Sequence, residues 1–231
     1  EGRVIYENIM KSVKYLISCN IGELIAILLA IMAGLRSPLT PIQILWMNIV
    51  TDSPPAIALA MDPPSRDIMK RPPYNPRDKI LNGKLSVEMI FTGLLVGLGT
   101  LGVFVWYTNS GPIGGLKAGT MAFSVIILFQ KFYALAVSGS GERSIVESGV
   151  FRNRWLWLAI AFGVLSQILI TEWTPVQTIF STVSLSALDW GIVIAISSTA
   201  FFIPEGIKIV RIRRRRRSGL PVGGKPNKAG D

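Results

Sequence analysis

The chain has 231 residues, 50% of them hydrophobic and 16% charged, with a net charge of +10 and a mean hydropathy of +0.46. A soluble domain usually carries about 25% charged residues, so the deficit points to a membrane protein. There is no histidine and one cysteine, Cys19. That composition argues against an internal disulfide, most zinc frameworks, transition-metal binding and triad catalysis.

Residues 1–14 (EGRVIYENIMKSVK) mix polar and apolar side chains and run into the first apolar stretch without Gly or Pro. One long helix is expected, its first 14 residues forming a cytoplasmic stalk. Apolar stretches then follow at 15–35, 42–60, 86–108, 119–138, 155–171 and 189–210. Each has about the 17–25 residues that a spanning helix needs. The expected fold is therefore an all-α, six-helix transmembrane bundle over residues 15–210. The chain begins with Glu rather than Met and no signal peptide precedes the first span, which reads as a piece of a longer product.

Charge sets the expected orientation. Of 24 Lys and Arg, 21 fall in the N-terminal stretch, the loops around 61–85 and 139–154, and the C-terminal tail; the opposite loops carry only Arg36 and Lys117. The positive-inside rule then places both termini in the cytoplasm. Most of the net charge is topology, and nucleic acid is not an expected partner.

Two acids lie inside apolar stretches: Glu23 in YLISCNIGELIAILLAIM and Asp52 in ILWMNIVTDSPPAIALA. A charge at the bilayer centre costs about 2.5–3.5 kcal/mol even on insertion scales, so such acids are functional candidates. Asn20 precedes Glu23 by three residues and Asn48 precedes Asp52 by four, so each pair is expected on one helix face. Thr51 adds a hydroxyl. The second span is expected to break at Pro54-Pro55, freeing carbonyls near Val50 and Thr51. Unwound backbone in a membrane survives where it is buried in protein or lines a polar cavity, and broken helices recur at transporter ion sites. A packing kink is the plainer reading of the same prolines. Calcium takes six to eight oxygens in flexible geometry. The five side chains Asn20, Glu23, Asn48, Thr51 and Asp52 approach such a shell without completing it.

Further along, DPPSRDIMKRPPYNPRDK (62–79) reads as a stiff cytoplasmic segment suited to touching another domain, or as an ordinary connector. Gly93 and Gly97 read as close helix packing. The basic tail, 211–231, is expected to lie against anionic lipid headgroups and to be disordered past Arg217.

Three stretches, YLISCNIGELIAILL, PIQILWMNIVTDSPPAIALAMDPPSRDIMKRPP and MAFSVIILFQKFYAL, closely resemble the C-terminal half of P-type cation-transporting ATPases, nearest the calcium-pump branch. The resemblance covers nearly the whole chain and implies that its six spans are helices five to ten of a ten-helix pump. It also implies that the positions of Asn20, Glu23, Thr51 and Asp52 line one cation site. Those of Asn48 and Asp52 would help form a second, completed by a fourth helix absent from this chain. The loop at 62–79 would contact the phosphorylation domain. Where two-calcium pumps place a glutamate on the eighth helix, this chain has Gln130, which favours a single transported ion. Beside it, Lys131 either snorkels away or acts as a counter-charge to Glu23.

The stretch IPEG at 203–206 mimics the motif that breaks the fourth helix of these pumps, but it lies in the last span beside the basic tail. There Pro204 is expected to kink the helix and Glu205 to pair with Lys208 or an arginine. The chain has no D-K-T-G-T, T-G-E or P-loop segment, so it is not expected to hydrolyse ATP alone. The implied partner is the N-terminal half of a pump, through which ATP and Mg2+ would act, and the implied cargo is calcium. Sodium and proton transport use related oxygens. Another reading, of a different class, is a stand-alone six-helix membrane protein that binds or passively conducts ions or regulates a pump. A further one makes the acids mere interhelical hydrogen-bond partners.

Overall fold

The computed structural model describes residues 2–64, 83–108, 114–139, 149 and 151–217. The described residues are helical, with no strand among them. Helix α1 runs unbroken from Gly2 to Met32, so the polar stalk and the first apolar stretch form one rod. It ends in a Schellman turn: Leu35 N–H donates to Ala30 O at 2.9 Å, and Gly34 takes φ of 71°, a left-handed value suited to glycine.

The segment predicted as the second span is not one helix. It comprises α2 (Pro41–Trp46), a π-helical turn (Met47–Thr51) and α3 (Ser53–Ala60). Thr40 starts α2 with a reciprocal capping box to Gln43, and Pro41 sits in the first turn, where its missing N–H costs nothing. The break falls ahead of the prolines rather than at them. Pro54 and Pro55 occupy the first turn of α3, a position proline tolerates. The irregularity that this creates is displaced upstream, where Asp52 N–H reaches back five residues to Met47 O at 2.8 Å.

The remaining helices are α4 (Gly83–Thr108), α5 (Gly114–Ser138), α6 (Arg154–Glu172), α7 (Thr174–Phe180) and α8 (Ala187–Arg217). Among the described residues, five helices, α1, α4, α5, α6 and α8, are long and apolar enough to cross a membrane, and the chain is an integral membrane protein. Within its most apolar window, α5 is 89% buried, against 22% for α8; α5 is the central rod.

Contacts fix the directions. Asn8 reaches Asp62 O, Ser12 reaches Ala56 O and Asn48 reaches Glu23, so α1 and the broken segment are antiparallel. Lys14 pairs with Glu88, and Ile21 and Ile25 press on Gly93 and Gly97, so α1 and α4 are parallel. A Cβ at Gly93 or Gly97 would come within 2.3 or 2.5 Å of those isoleucine methyls, and one at Gly22 within 2.7 Å of Val96. The predicted small-residue packing is this α1–α4 seam. Antiparallel α5 and α6 meet where Gln167 donates to Ser124 at 2.8 Å. Parallel α5 and α8 meet where Ser197 donates to Val125 O and Lys208 to Ala136 O. In the IPEG stretch Glu205 pairs with Lys208 at 2.7 Å, as expected, and Pro204 lies inside α8. Helix α8 continues through Arg217. The tail beyond it, and the proline-rich segment from residue 65 to 79, lie outside the described residues.

Candidate cation site

Helix α1 buries one face along Tyr15, Ser18, Cys19, Gly22, Glu23, Ala26 and Ala30, a 3.6-residue period. Glu23 stands in the middle of that stripe, 4% exposed and opposite the π-helical turn. On the other side of the gap, Asp52 closes the turn and is 1% exposed. The third wall is α5, which carries Gln130 and Lys131.

Gln130 joins the two acids. Its amide nitrogen donates to Glu23 Oε1 at 2.9 Å and to Asp52 Oδ2 at 3.0 Å, so the two hydrogens of one NH2 group bridge two carboxylates. The carbonyl end of the same amide, Gln130 Oε1, is buried without a hydrogen-bond partner. Asn48, half-buried, donates to Glu23 Oε2 at 3.4 Å and to Ile44 O at 3.0 Å. Tyr15 donates to Asp52 Oδ1 at 3.3 Å. The Thr51 hydroxyl turns back to Met47 O at 3.1 Å, as helical threonines do.

Lys131 does not snorkel. It is 2% exposed, its ammonium donates to Thr51 O, and it lies 3.8 Å from Asp52 Oδ1. Its carboxylate neighbour by distance is thus Asp52. The structure brings Glu23, Asn48, Asp52 and Gln130 into one hydrogen-bonded group, with Thr51 adjacent through its carbonyl. Asn20 stands apart: it is exposed and donates to Leu16 O at 2.9 Å. Three-residue spacing leaves about 60° between Asn20 and Glu23 on an ideal helix, and the buried stripe passes through the second.

Three contributors escaped the sequence reading. Tyr15 shares the buried stripe of α1 with Glu23, a signal present in the helical period. Tyr133, one turn beyond Gln130, pairs with Ser18 at 3.1 Å and stacks on Tyr15 with ring centroids 6.3 Å apart. Gly163 on α6 faces the Lys131 side chain; this contact has no sequence signature, because the two residues are far apart in the chain. Among the described residues, no three acidic, cysteine or histidine side chains form a metal-binding group. Two carboxylates and the amides of Gln130 and Asn48 converge here, groups whose oxygens are of the type a hard cation takes.

Residues 36–210 match the family described as cation transporting ATPase, C-terminus. The chain is 36% identical over 211 residues to a calcium-transporting ATPase of Bacillus subtilis (strain 168), covering 91% of this chain and 24% of that protein. It is 37% identical over 226 residues to calcium-transporting ATPase 1 of Bacillus cereus, with 91% and 25% covered. Against calcium-transporting ATPase type 2C member 1 of Homo sapiens it is 34% identical over 216 residues, with 94% and 23% covered. The chain therefore spans about a quarter of the length of these relatives.

Proposed function

The chain belongs to the C-terminal membrane region of the P-type cation-transporting ATPases, calcium-pump-like, and from that premise we propose that it forms much of the ion-binding and translocation site of a pump whose cargo is calcium. Glu23 and Asp52 supply the charge; Asn48, Thr51 and Gln130 supply neutral oxygens. The observation that carries this reading is the convergence of Glu23, Asp52 and Gln130 from three elements, with Gln130 Oε1 left as a buried acceptor. A buried polar atom without a partner is costly unless something else satisfies it, and a cation does so. Asn20 joins from the exposed side of α1, where a further element of the pump closes over it. Calcium is favoured by the relatives, each of them a calcium-transporting ATPase.

In this reading the broken segment counts as one crossing, giving six spans corresponding to helices five to ten. Support comes from direction: α1 and α4 are parallel, and the segment between them runs antiparallel to α1. The clustering of lysine and arginine in the N-terminal stretch, the segments around 61–85 and 139–154, and the tail of the sequence favours cytoplasmic termini. The stalk at 1–14, the tail's anionic lipid contacts and the loop's contact with a phosphorylation domain belong to the same proposal. So does the supply of ATP and Mg2+ chemistry by the N-terminal half of the pump.

The test is calcium-dependent phosphorylation of the full-length protein that carries this chain. Asp52→Asn keeps the shape and removes the charge shared by Gln130, Tyr15 and Lys131. It is expected to weaken apparent calcium affinity by about 100-fold, equivalent to about 2.8 kcal/mol at 1.4 kcal/mol per tenfold. Unchanged affinity would remove Asp52 from the site and the proposal with it.

A further inference from the structure

We propose that the Lys131 ammonium is a resident cation that takes the place of a second transported ion, an inference that rests on the cation-site reading above. The position of the ammonium is specific. It donates to the carbonyl of Thr51, and that carbonyl is the one that Pro55, four residues on, cannot serve with an N–H. The backbone oxygen released by the break, of the type a hard cation seeks, is therefore already bound to a positive charge.

The path of the side chain is built for this placement. A Cβ at Gly163 would meet Lys131 Cε at 2.5 Å, Cδ at 3.3 Å and Nζ at 3.5 Å. Glycine at that point of α6 opens the groove along which the lysine runs from α5 to the π-helical turn. A lysine of ordinary snorkelling habit would extend toward the bundle end; this one is 2% exposed and lies 3.8 Å from Asp52 Oδ1.

Charge arithmetic gives the consequence. The site holds two carboxylates and one ammonium. Their net charge is −1, so one divalent ion already turns the group positive, whereas without the ammonium the same ion leaves it neutral and open to a second. With the ammonium in place, a second ion has no carboxylate left to offset it, in an interior where like charges are poorly screened. The neutral amide at Gln130 adds an oxygen without adding charge.

Lys131→Gln in the full-length protein separates charge from hydrogen bonding, because the glutamine amide still donates to the Thr51 carbonyl. Radioactive calcium bound per phosphorylation site at saturating calcium is the readout. One ion is expected in the unaltered protein, two in Lys131→Gln, and one in Lys131→Arg, which keeps the charge. Lys131→Met, neutral and similar in length, gives the same count of two and covers the case in which the glutamine variant does not fold. Two ions in the unaltered protein, or one in both neutral variants, overturns the inference while leaving the cation site standing. No calcium bound by an unaltered protein that still phosphorylates would overturn the site reading itself and this inference with it.

Discussion

Helix α1 and the broken segment meet at two buried polar clusters, and the pair differ in how charge is balanced. Near the bundle end, the single carboxylate of Asp62 takes Lys11 at 2.5 Å and Arg152 at 3.2 Å on one oxygen, and Asn153 at 3.1 Å on the other. Asn8 bonds the Asp62 carbonyl at 2.7 Å, and Asn153 also reaches Ala58 O at 2.7 Å. Cations outnumber the carboxylate and its oxygens have partners; the cluster is a fastener. In the middle of the bundle the proportion is reversed: Glu23 and Asp52 are held by the amides of Gln130 and Asn48, and by one ammonium. The lesson is that burial and hydrogen bonding alone do not mark a binding site. Excess negative charge, together with a buried acceptor lacking a partner, separates the proposed site from the fastener.

The sharpest way to break this comparison is to neutralise each cluster and measure both stability and ion affinity. Asp62→Ala strands Lys11 and Arg152 and should lower stability by about 3–5 kcal/mol, as loss of one partner from a buried ion pair does. In detergent this is read as a drop in melting temperature, with calcium affinity of the folded fraction within about threefold, or roughly 0.7 kcal/mol. Asp52→Asn should give the opposite pattern, a large loss of affinity with a smaller change in melting. If both variants lose the same property, the two clusters do not differ in kind.

A smaller effect is expected on the α1–α4 seam that runs past Glu23. Gly93→Val places side-chain atoms where Ile21 already lies and should cost about 1–3 kcal/mol by overpacking. The measurement is thermal melting beside Gly102→Val, because an added Cβ at Gly102 meets nothing within 4 Å. Equal losses in both would show that the seam is not set by close contact.

The smallest effect sharpens the account of the fastener. Asn153 caps α6 by accepting from Leu156 N–H at 3.1 Å while its amide joins Asp62 and Ala58. Asn153→Asp keeps the cap but removes the donors and sets a second carboxylate beside Asp62, whereas Asn153→Ser keeps a cap alone. The serine variant should lose about 1 kcal/mol, within the range of capping and single hydrogen-bond changes. The aspartate variant should lose more, and a reversed order would show that capping dominates at this position.

Much of the fold was legible because hydropathy and helix length are local properties. The long apolar stretches returned as α1, α4, α5, α6 and α8, and Glu23 and Asp52 stood out because acids are rare in such stretches. The broken segment was legible only in outline. Proline marks where an N–H is missing, yet the chain keeps Pro54 and Pro55 in the first turn of α3 and moves the irregularity to Met47–Thr51. Helical spacing made Asn20 and Glu23 neighbours but could not say which side of α1 faces the bundle.

The sequence by itself determined an all-helical membrane chain, the close helix packing at Gly93 and Gly97 and the two acids that a bilayer does not tolerate idly. Each follows from short-range chemistry: apolar length, missing side chains and the cost of charge in hydrocarbon. Tertiary structure alone decided that Gln130 spans both carboxylates and that Lys131 turns to Thr51 and Asp52 across the gap. It also decided that Asp62 meets Lys11 and Arg152. Those choices depend on the rotation and depth of one helix against another, which packing over the whole interface sets and no local spacing records.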